Sequence, residues 1–516
     1  MSEFPHKQDP EERMADNMKN PSLPPPGPTP EGISELLAAI SKLEKRDRLQ
    51  TEPTEETPLT GSSDFAVRVP KRVAEVLDSL ASLSVCQPKH EVIAVVLRLN
   101  PKPQSVELII SGNSDISSST LNHLRYIWSS MKSLSEFIYR DRSPGLQDKS
   151  SNEKMKDPAF QAIVTELRYR CLVFSFARIQ HIVNGKFEQF MRISTAELAP
   201  EHPFNSIRKS LSFLERLFTR KEGAVFGKPR HGDAQNLRYI YTCLRTFSKS
   251  SDQFLRAGGF QGQDKGRSVG FLKLHSYLQK IASIPNNIDD LIKAAVSPRC
   301  RDLFTCTLNL IPLPKLSGRL SHVASTTSDW ERVLEESLAY YNKFLDFTRT
   351  SSQVLDTEVI NPDTIYMARE AVSRDVIVHS ETKLLAAIEN AQRESKNIPK
   401  AFTYVGVSKP PCNGCVCFFT AYNRVHDTSW ETRRRYGKSY YPWMLPPVLP
   451  GHDEVVTATY NIIVARWVRS YRGYRDPFVP VVADSTQPRV PATEYYDEQA
   501  PADMEVVREI IRQLEQ

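Results

Sequence analysis

Glycine and cysteine are scarce in this 516-residue chain, with 20 and 8 copies, while proline is abundant at 36. The few cysteines exclude a disulfide scaffold of the small secreted type. The prolines are concentrated in a few stretches, so they read as linkers rather than as a wholly disordered chain. No run of about 18 apolar residues exists, so no transmembrane helix is expected. Met1 to Asn20 is charged and has no apolar core, which excludes a secretory signal. The formal charge of +6 is a mild bias over this length and does not by itself imply nucleic acid. What is present is enough apolar sequence, 40%, to bury a core. At roughly 150 residues per domain the length suggests about three units. The expectation is a soluble intracellular protein, cytoplasmic or nuclear, with no membrane contact.

Residues 1–66 read as a disordered, proline-rich tail. Pro21-Ser-Leu-Pro-Pro-Pro-Gly-Pro-Thr-Pro30 is a polyproline spacer, and one short amphipathic helix spans Ile33 to Leu49. Within 67–130, Val92-Ile-Ala-Val-Val-Leu-Arg-Leu99 and Val106-Glu-Leu-Ile-Ile-Ser111 read as a hairpin, followed by a helix from Ser118. Residues 131–350 carry helical spacing throughout, including Ser206 to Thr219 and Asp233 to Phe254, with a loop-like glycine cluster at Gly258 to Gly262. From 351 to 475 helix and strand alternate. Residues 476–516 read as a proline-rich linker and a terminal helix.

The chemistry lies in two short runs, His379-Ser-Glu381 and Pro411-Cys412-Asn-Gly-Cys415. Together they give H-x-E and then P-C-x-x-C, with one helix and one strand between. Zinc-dependent nucleobase deaminases use this arrangement. Two cysteines three apart at a helix start share a face, and the helix N-terminus favours thiolate. Pro411 suits the first helical turn, which needs no N–H from it. His379, Cys412 and Cys415 would hold Zn2+ and leave a fourth position for water, as catalytic rather than structural sites do. His379 belongs at the entrance of its helix, so that Glu381 converges on the same pocket and carries protons to the ring nitrogen and the leaving amine. A structural zinc with Cys417 as fourth ligand is the competing arrangement. Cys417 is two residues beyond Cys415 and points away on a helix.

Beyond the spacing, Val378 to Pro447 resembles the fungal-type deaminases of the cytidine-deaminase-like superfamily. The matching text is His379-Ser-Glu-Thr-Lys-Leu-Leu385, Tyr404-Val-Gly-Val-Ser-Lys-Pro-Pro-Cys-Asn-Gly-Cys415, Phe418-Phe-Thr-Ala-Tyr-Asn423 and Gly437-Lys-Ser-Tyr-Tyr-Pro-Trp443. The resemblance implies an α/β fold. It would have a cytidine-deaminase-like three-layer α/β/α core in the C-terminal part, and a large, mainly helical N-terminal or inserted region. It assigns His379, Cys412 and Cys415 to the metal and Glu381 to proton transfer. Where the family commonly has a histidine before the Gly-Lys pair, this chain has Tyr436.

That fold needs a strand hairpin before the H-x-E helix, and Asp375 to Val378 is too short to supply one. The hairpin at 92–111 either forms the first two strands of this sheet or belongs to a separate N-terminal domain. In the first case Asn113 faces the substrate, as the resemblance implies for an asparagine there. Arg433-Arg-Arg435, Lys438, Tyr440 and Trp443 form a basic, aromatic segment that either binds phosphates and stacks bases or is a solvated face with a packed loop. Segment 361–475 holds 16 Lys+Arg against 10 Asp+Glu. The expected activity is hydrolytic deamination of a nucleobase, in a nucleoside, RNA or DNA. The alternative is a non-catalytic scaffold with a deaminase fold and a structural zinc. The helical region offers a surface for a protein partner or for self-association.

Overall fold

The computed structural model describes residues 28–47, 71–88, 91–100, 104–139, 151–195, 207–208, 211–212, 240–249, 268–320, 324–347, 362–369, 375–395, 397–433 and 439–475. In chain order these include α1 (Pro30–Asp47), α2 (Lys71–Leu83), β1 (Ile93–Asn100), β2 (Ser105–Gly112), α3 (Ser118–Tyr139), α4 (Pro158–Thr195) and α5 (Ser268–Ala295). Then follow β3 (Thr307–Pro312), β4 (Ser317–Arg319), α6 (Thr327–Phe347), α7 (Pro362–Arg369), β5 (Asp375–Ile377), α8 (Ser380–Glu394), β6 (Tyr404–Val407), α9 (Asn413–His426), β7 (Glu431–Thr432) and α10 (His452–Arg475). Among the described residues no helix is long and apolar enough to cross a membrane.

Five strands form one mixed sheet in the order β3-β2-β1-β6-β7. β1 and β2 pair antiparallel from Ile93↔Gly112 to Asn100↔Ser105. β6 joins the other side of β1 antiparallel, with Ala94 opposite Val407 and Val95 opposite Gly406. β3 and β7 add to the two edges in parallel. The hairpin and the segment around Cys412 therefore share a sheet although some 300 residues separate them.

Alternation along the strands divides the interior in two. Ile93, Val95, Leu97, Val106, Leu108 and Ile110 face a core built from α2, α3, α4 and α5. Ala94, Val96, Ile109, Val405 and Val407 face a second core built from α1, α6, α8, α9 and α10. A strand buried on both faces reads as a continuous apolar run, which is why Ile93-Ala-Val-Val-Leu97 lacks polar alternation. The result is helices on both faces of a mixed sheet.

Three sequence expectations change here. Residues 131–350 are not wholly helical, because Thr307–Pro312 is the edge strand β3 and Ser317–Arg319 pairs with β5. Half-exposed, short and proline-terminated, β3 lacks the periodicity that marks a buried strand. The amphipathic helix expected at 33–49 is present as α1, but it does not lie in a disordered tail: its Ile33, Leu36, Leu37, Ile40 and Leu43 are at most 1% exposed, packed into the fold. Finally, α9 begins at Asn413 with Cys412 as its N-cap, so Pro411 precedes the helix instead of opening it. The expected helices at 206–219 and 502–514, the glycine cluster at 258–262 and the linkers at 51–64 and 476–502 lie wholly or mostly outside the described residues.

Helix α2 sits so close to β6 that a Cβ on Gly406 would stand 2.5 Å from the Leu77 carbonyl carbon. Asp78, next along α2, fastens the contact by accepting bonds from Val407 N–H at 3.0 Å and Tyr404 O–H at 2.8 Å. Gly406→Ala is expected to push α2 off the sheet and destabilise the fold by about 1–3 kcal/mol. Chemical denaturation checks this, and an unchanged midpoint would contradict it.

Glu35 on α1 is buried and accepts the Ala324 N–H at 2.8 Å. Burial raises its carboxyl to about 7, against the lowering effects of that N–H and of Arg332. The unfolded carboxyl ionises near the ordinary value of 4.5, so folding weakens as pH rises from there to about 7. Glu35→Gln keeps the acceptor and removes the charge. The variant's unfolding free energy should exceed that of wild type at pH 8 by on the order of 3 kcal/mol, and match it near pH 4.5. A difference that does not vary with pH would refute this assignment.

Candidate metal centre

Two helix N-termini meet at one end of the sheet. His379 is the N-cap of α8, in extended backbone (φ −63, ψ 149), and Cys412 is the N-cap of α9 (φ −75, ψ 166). Each begins its helix through its carbonyl, which accepts from Lys383 N–H at 3.0 Å and from Val416 N–H at 3.0 Å respectively. With neither side chain tied up in capping, both are available to the site. Cys415 follows in the first turn of α9. The close seat of that turn needs Gly414, where a Cβ would stand 2.9 Å from Leu37 of α1 and 3.1 Å from Trp443.

The three ligand atoms form a small triangle. His379 Nδ1 lies 3.4 Å from Cys412 Sγ and 3.3 Å from Cys415 Sγ, and the two sulfurs are 3.4 Å apart. All three residues are buried, and these atoms make up the one group among the described residues that could hold a metal ion. Cys417 is not part of it; Arg466 reaches toward its sulfur at 3.8 Å. Tetrahedral zinc, with bonds of about 2.3 Å to sulfur and 2.0–2.1 Å to nitrogen, holds such atoms about 3.5–3.8 Å apart. The observed triangle is slightly smaller than that, so the residues fit.

Without a metal the cluster stores protons. Burial pulls His379 down, but the Cys412 thiolate, Glu381 and the Pro442 carbonyl outweigh it, so the imidazole is raised to about 9. Burial raises Cys412, yet the Cys415 thiol and the charged His379 bring it well below the ordinary thiol value. Cys415 is held above it by burial and by the Cys412 charge. A metal must displace the protons on His379 and Cys415, so binding weakens as pH falls.

A second layer fixes the ligands. Trp443 Nε1–H donates to Cys415 Sγ at 3.2 Å, and the Trp443 carbonyl accepts from Ser34 O–H of α1 at 2.8 Å. Trp443 is fully buried, so it lies behind the cysteines and not on a surface where a base could stack, as the aromatic segment had suggested. Tyr440 is 50% exposed, Arg433 is exposed at the end of β7, and Lys438 lies outside the described residues. The ring of His426 contacts the Pro450 carbonyl at 2.9 Å, away from the ligand triangle.

Glu381 is 3% exposed, in the first turn of α8, and accepts a bond from Ser380 O–H at 2.9 Å. It is near enough for its charge to raise both His379 and Cys415. Asn113, at the exit of β2, accepts the Ser380 N–H through Oδ1 at 3.3 Å. The hairpin thus reaches the first turn of the helix that carries His379 and Glu381.

Sequence reasoning passed over Lys383. It lies on α8 one turn after His379, is buried, and donates to the carbonyls of Gly112 at 3.0 Å and Pro314 at 2.7 Å. Burial lowers its ammonium to about 8. It ties the end of β2 and the loop after β3 to the helix that His379 caps. The only signal was its i+4 spacing from His379.

Residues 378–447 match the family model of the OTT_1508-like deaminases. This deaminase-like segment contains all three ligand residues, Glu381 and Trp443, and an isolated bridge between Val378 and Met444 closes its ends together. The hairpin that supplies Asn113 lies outside it. No curated protein and no solved structure gave a match to the chain.

Trp443→Phe removes the N–H donor and leaves the ligands in place. It should weaken metal affinity by about 10–100-fold with one metal per chain retained at saturation. Competition with a chromophoric chelator reads this, and affinity equal to wild type would show that the indole does not tune the sulfur. The same titration should give weaker binding at pH 6 than at pH 8.

Proposed function

We propose that this chain is a zinc-dependent hydrolytic deaminase acting on a nucleobase, in a nucleoside or a nucleic acid, and that its core is of the cytidine-deaminase type. The observation that carries the reading is the buried triangle of His379, Cys412 and Cys415 with Glu381 beside it, inside a segment similar to a deaminase family. Two thiolates and one neutral imidazole balance a zinc charge and leave a coordination position open. Zinc held there would supply an acidified water at neutral pH.

The chain's own residues do the rest. Glu381 would carry two protons in turn at its carboxylate, one from the attacking water to the ring nitrogen and a second from the newly added hydroxyl to the departing amine. Ser380 orients Glu381 through its hydroxyl, and Asn113, whose Oδ1 accepts the Ser380 N–H, would offer its amide N–H to a sugar or base edge. Near-complete burial excludes bulk water and strengthens each charge. Arg433, Lys438 and Tyr440 remain candidates for contacts farther along a substrate. Eight cysteines without a disulfide suit a reducing, intracellular compartment.

A second reading is a scaffold with structural metal, favoured by the 3–8% exposure of Cys412, Glu381 and His379. One variant separates the two. Glu381→Gln should retain metal and fold while ammonia release from cytosine- or adenine-containing substrates falls by about 10²–10⁴. Wild-type turnover in that variant would rule out the assigned role of Glu381. Metal-loaded wild type inert toward every nucleoside and oligonucleotide tested would favour the scaffold.

A further inference from the structure

Two hydrogen bonds join the exit of the hairpin to the first turns of α8, and one of them comes from a buried ammonium. Asn113 Oδ1 accepts the Ser380 N–H at 3.3 Å. Beside it, Lys383 Nζ donates to the Gly112 carbonyl at 3.0 Å. That carbonyl belongs to the peptide unit that carries the Asn113 N–H, and this N–H donates to the Val92 carbonyl at 3.2 Å. A peptide unit is planar, so holding its oxygen and its N–H fixes the orientation of the whole unit. Lys383 therefore sets the direction in which the backbone presents Asn113. The chain is tightly turned here, since a Cβ on Gly112 would stand 2.7 Å from the Ser114 carbonyl oxygen.

The second bond of the ammonium, to the Pro314 carbonyl at 2.7 Å, brings in the chain leaving β3. This chain runs alongside the hairpin exit. Leu313 N–H donates to the Ile110 carbonyl and Lys315 N–H to Asp115 Oδ1, both at 2.8 Å. Lys383 stands where the two exits part, and its own backbone N–H donates to the His379 carbonyl at 3.0 Å. One residue thus links the cap of α8, both strand exits and the peptide ahead of Asn113.

Stability alone does not call for a charge at this place. Lys383 is 5% exposed, and among the described residues it forms no ion pair. Asp115, the carboxylate that acts on its charge, is exposed and accepts the Lys315 N–H instead. A buried ammonium without an ion pair is costly, and an apolar side chain of the same length would be buried without that penalty. What the ammonium adds is direction, because it can donate to two carbonyls at once. Asn113 is only partly buried and its Oδ1 is already used, so its amide N–H faces outward to a ligand. We propose that Lys383 is a positioning residue for substrate binding, which holds the Gly112–Asn113 peptide so that the Asn113 amide is presented to the same pocket as Glu381. This rests on the deaminase reading and adds to it a residue that acts through Asn113.

The test uses the full-length, zinc-loaded chain and follows ammonia release from cytidine, adenosine and short single strands containing cytosine or adenine. Lys383→Met keeps the length of the side chain and removes its donors. It should raise KM about three- to tenfold with kcat within about twofold, as loss of one bond made equally to ground and transition state does. Asn113→Ala should do the same, and the double variant should show no further rise, because the two residues act as one. A purely structural defect would instead lower the fraction of active chains, so kcat would fall and KM would stay. Lys383→Arg keeps a donor for both carbonyls and should return KM toward wild type. If Lys383→Met does not fold, Lys383→Gln, with one amide donor, carries the same comparison. Multiplying KM effects in the double variant, a fall in kcat alone, or wild-type KM without the ammonium would overturn the positioning role and leave the deaminase reading standing. No ammonia from wild type with any of these probes would sink the deaminase reading and this proposal with it.

Discussion

The site depends on two helix N-termini brought to one end of one sheet. A lone buried thiolate is too costly to keep, and a lone buried imidazolium is no better. Put together at the starts of α8 and α9, they stabilise each other, with the helix dipoles adding partial positive charge. The demand this makes on the rest of the chain is positional. β6 must end where α9 begins, and α8 must begin within hydrogen-bond reach of the exit of β2. The contacts of Asp78, Gly406, Ser408 and Lys383 serve that placement.

The layers on either side contribute unequally. The core beneath α1, α8, α9 and α10 contains Cys412 and Cys415 themselves, so the same packing fixes the atoms that could hold a metal. Helix α1 illustrates the coupling. Leu37 meets Gly414 in the first turn of α9, and Ser34 holds the backbone of the tryptophan that donates to Cys415. The opposite core, under α2 to α5, supports the sheet.

Much of the centre was legible because its signals are local. The H-x-E and P-C-x-x-C runs name the three residues that could hold a metal, and the 100° helical turn requires His379 to stand at a helix entrance, where the structure has it. The hairpin was legible too, from its uninterrupted apolar run. Other features had no local signal. Trp443 reads as one more aromatic in a basic loop, and only its burial reveals that it serves the sulfur and not a base. β3 is too short and too exposed to show a strand period. α1 is flanked by proline-rich and polar sequence, which hides that its apolar stripe is covered on the folded chain.

The sequence by itself determined which atoms can bind a metal and which carboxylate lies two residues from the histidine, and it marked most of the long helices and the β1–β2 hairpin. Those properties depend on residue type and on spacings of two to four positions, which the backbone geometry converts directly into shared faces. Tertiary structure decided the partnerships. That β1 pairs with β6 and that α1 closes over Trp443 are contacts across hundreds of residues. Such contacts are selected by the packing of whole faces against one another, and no local spacing encodes them.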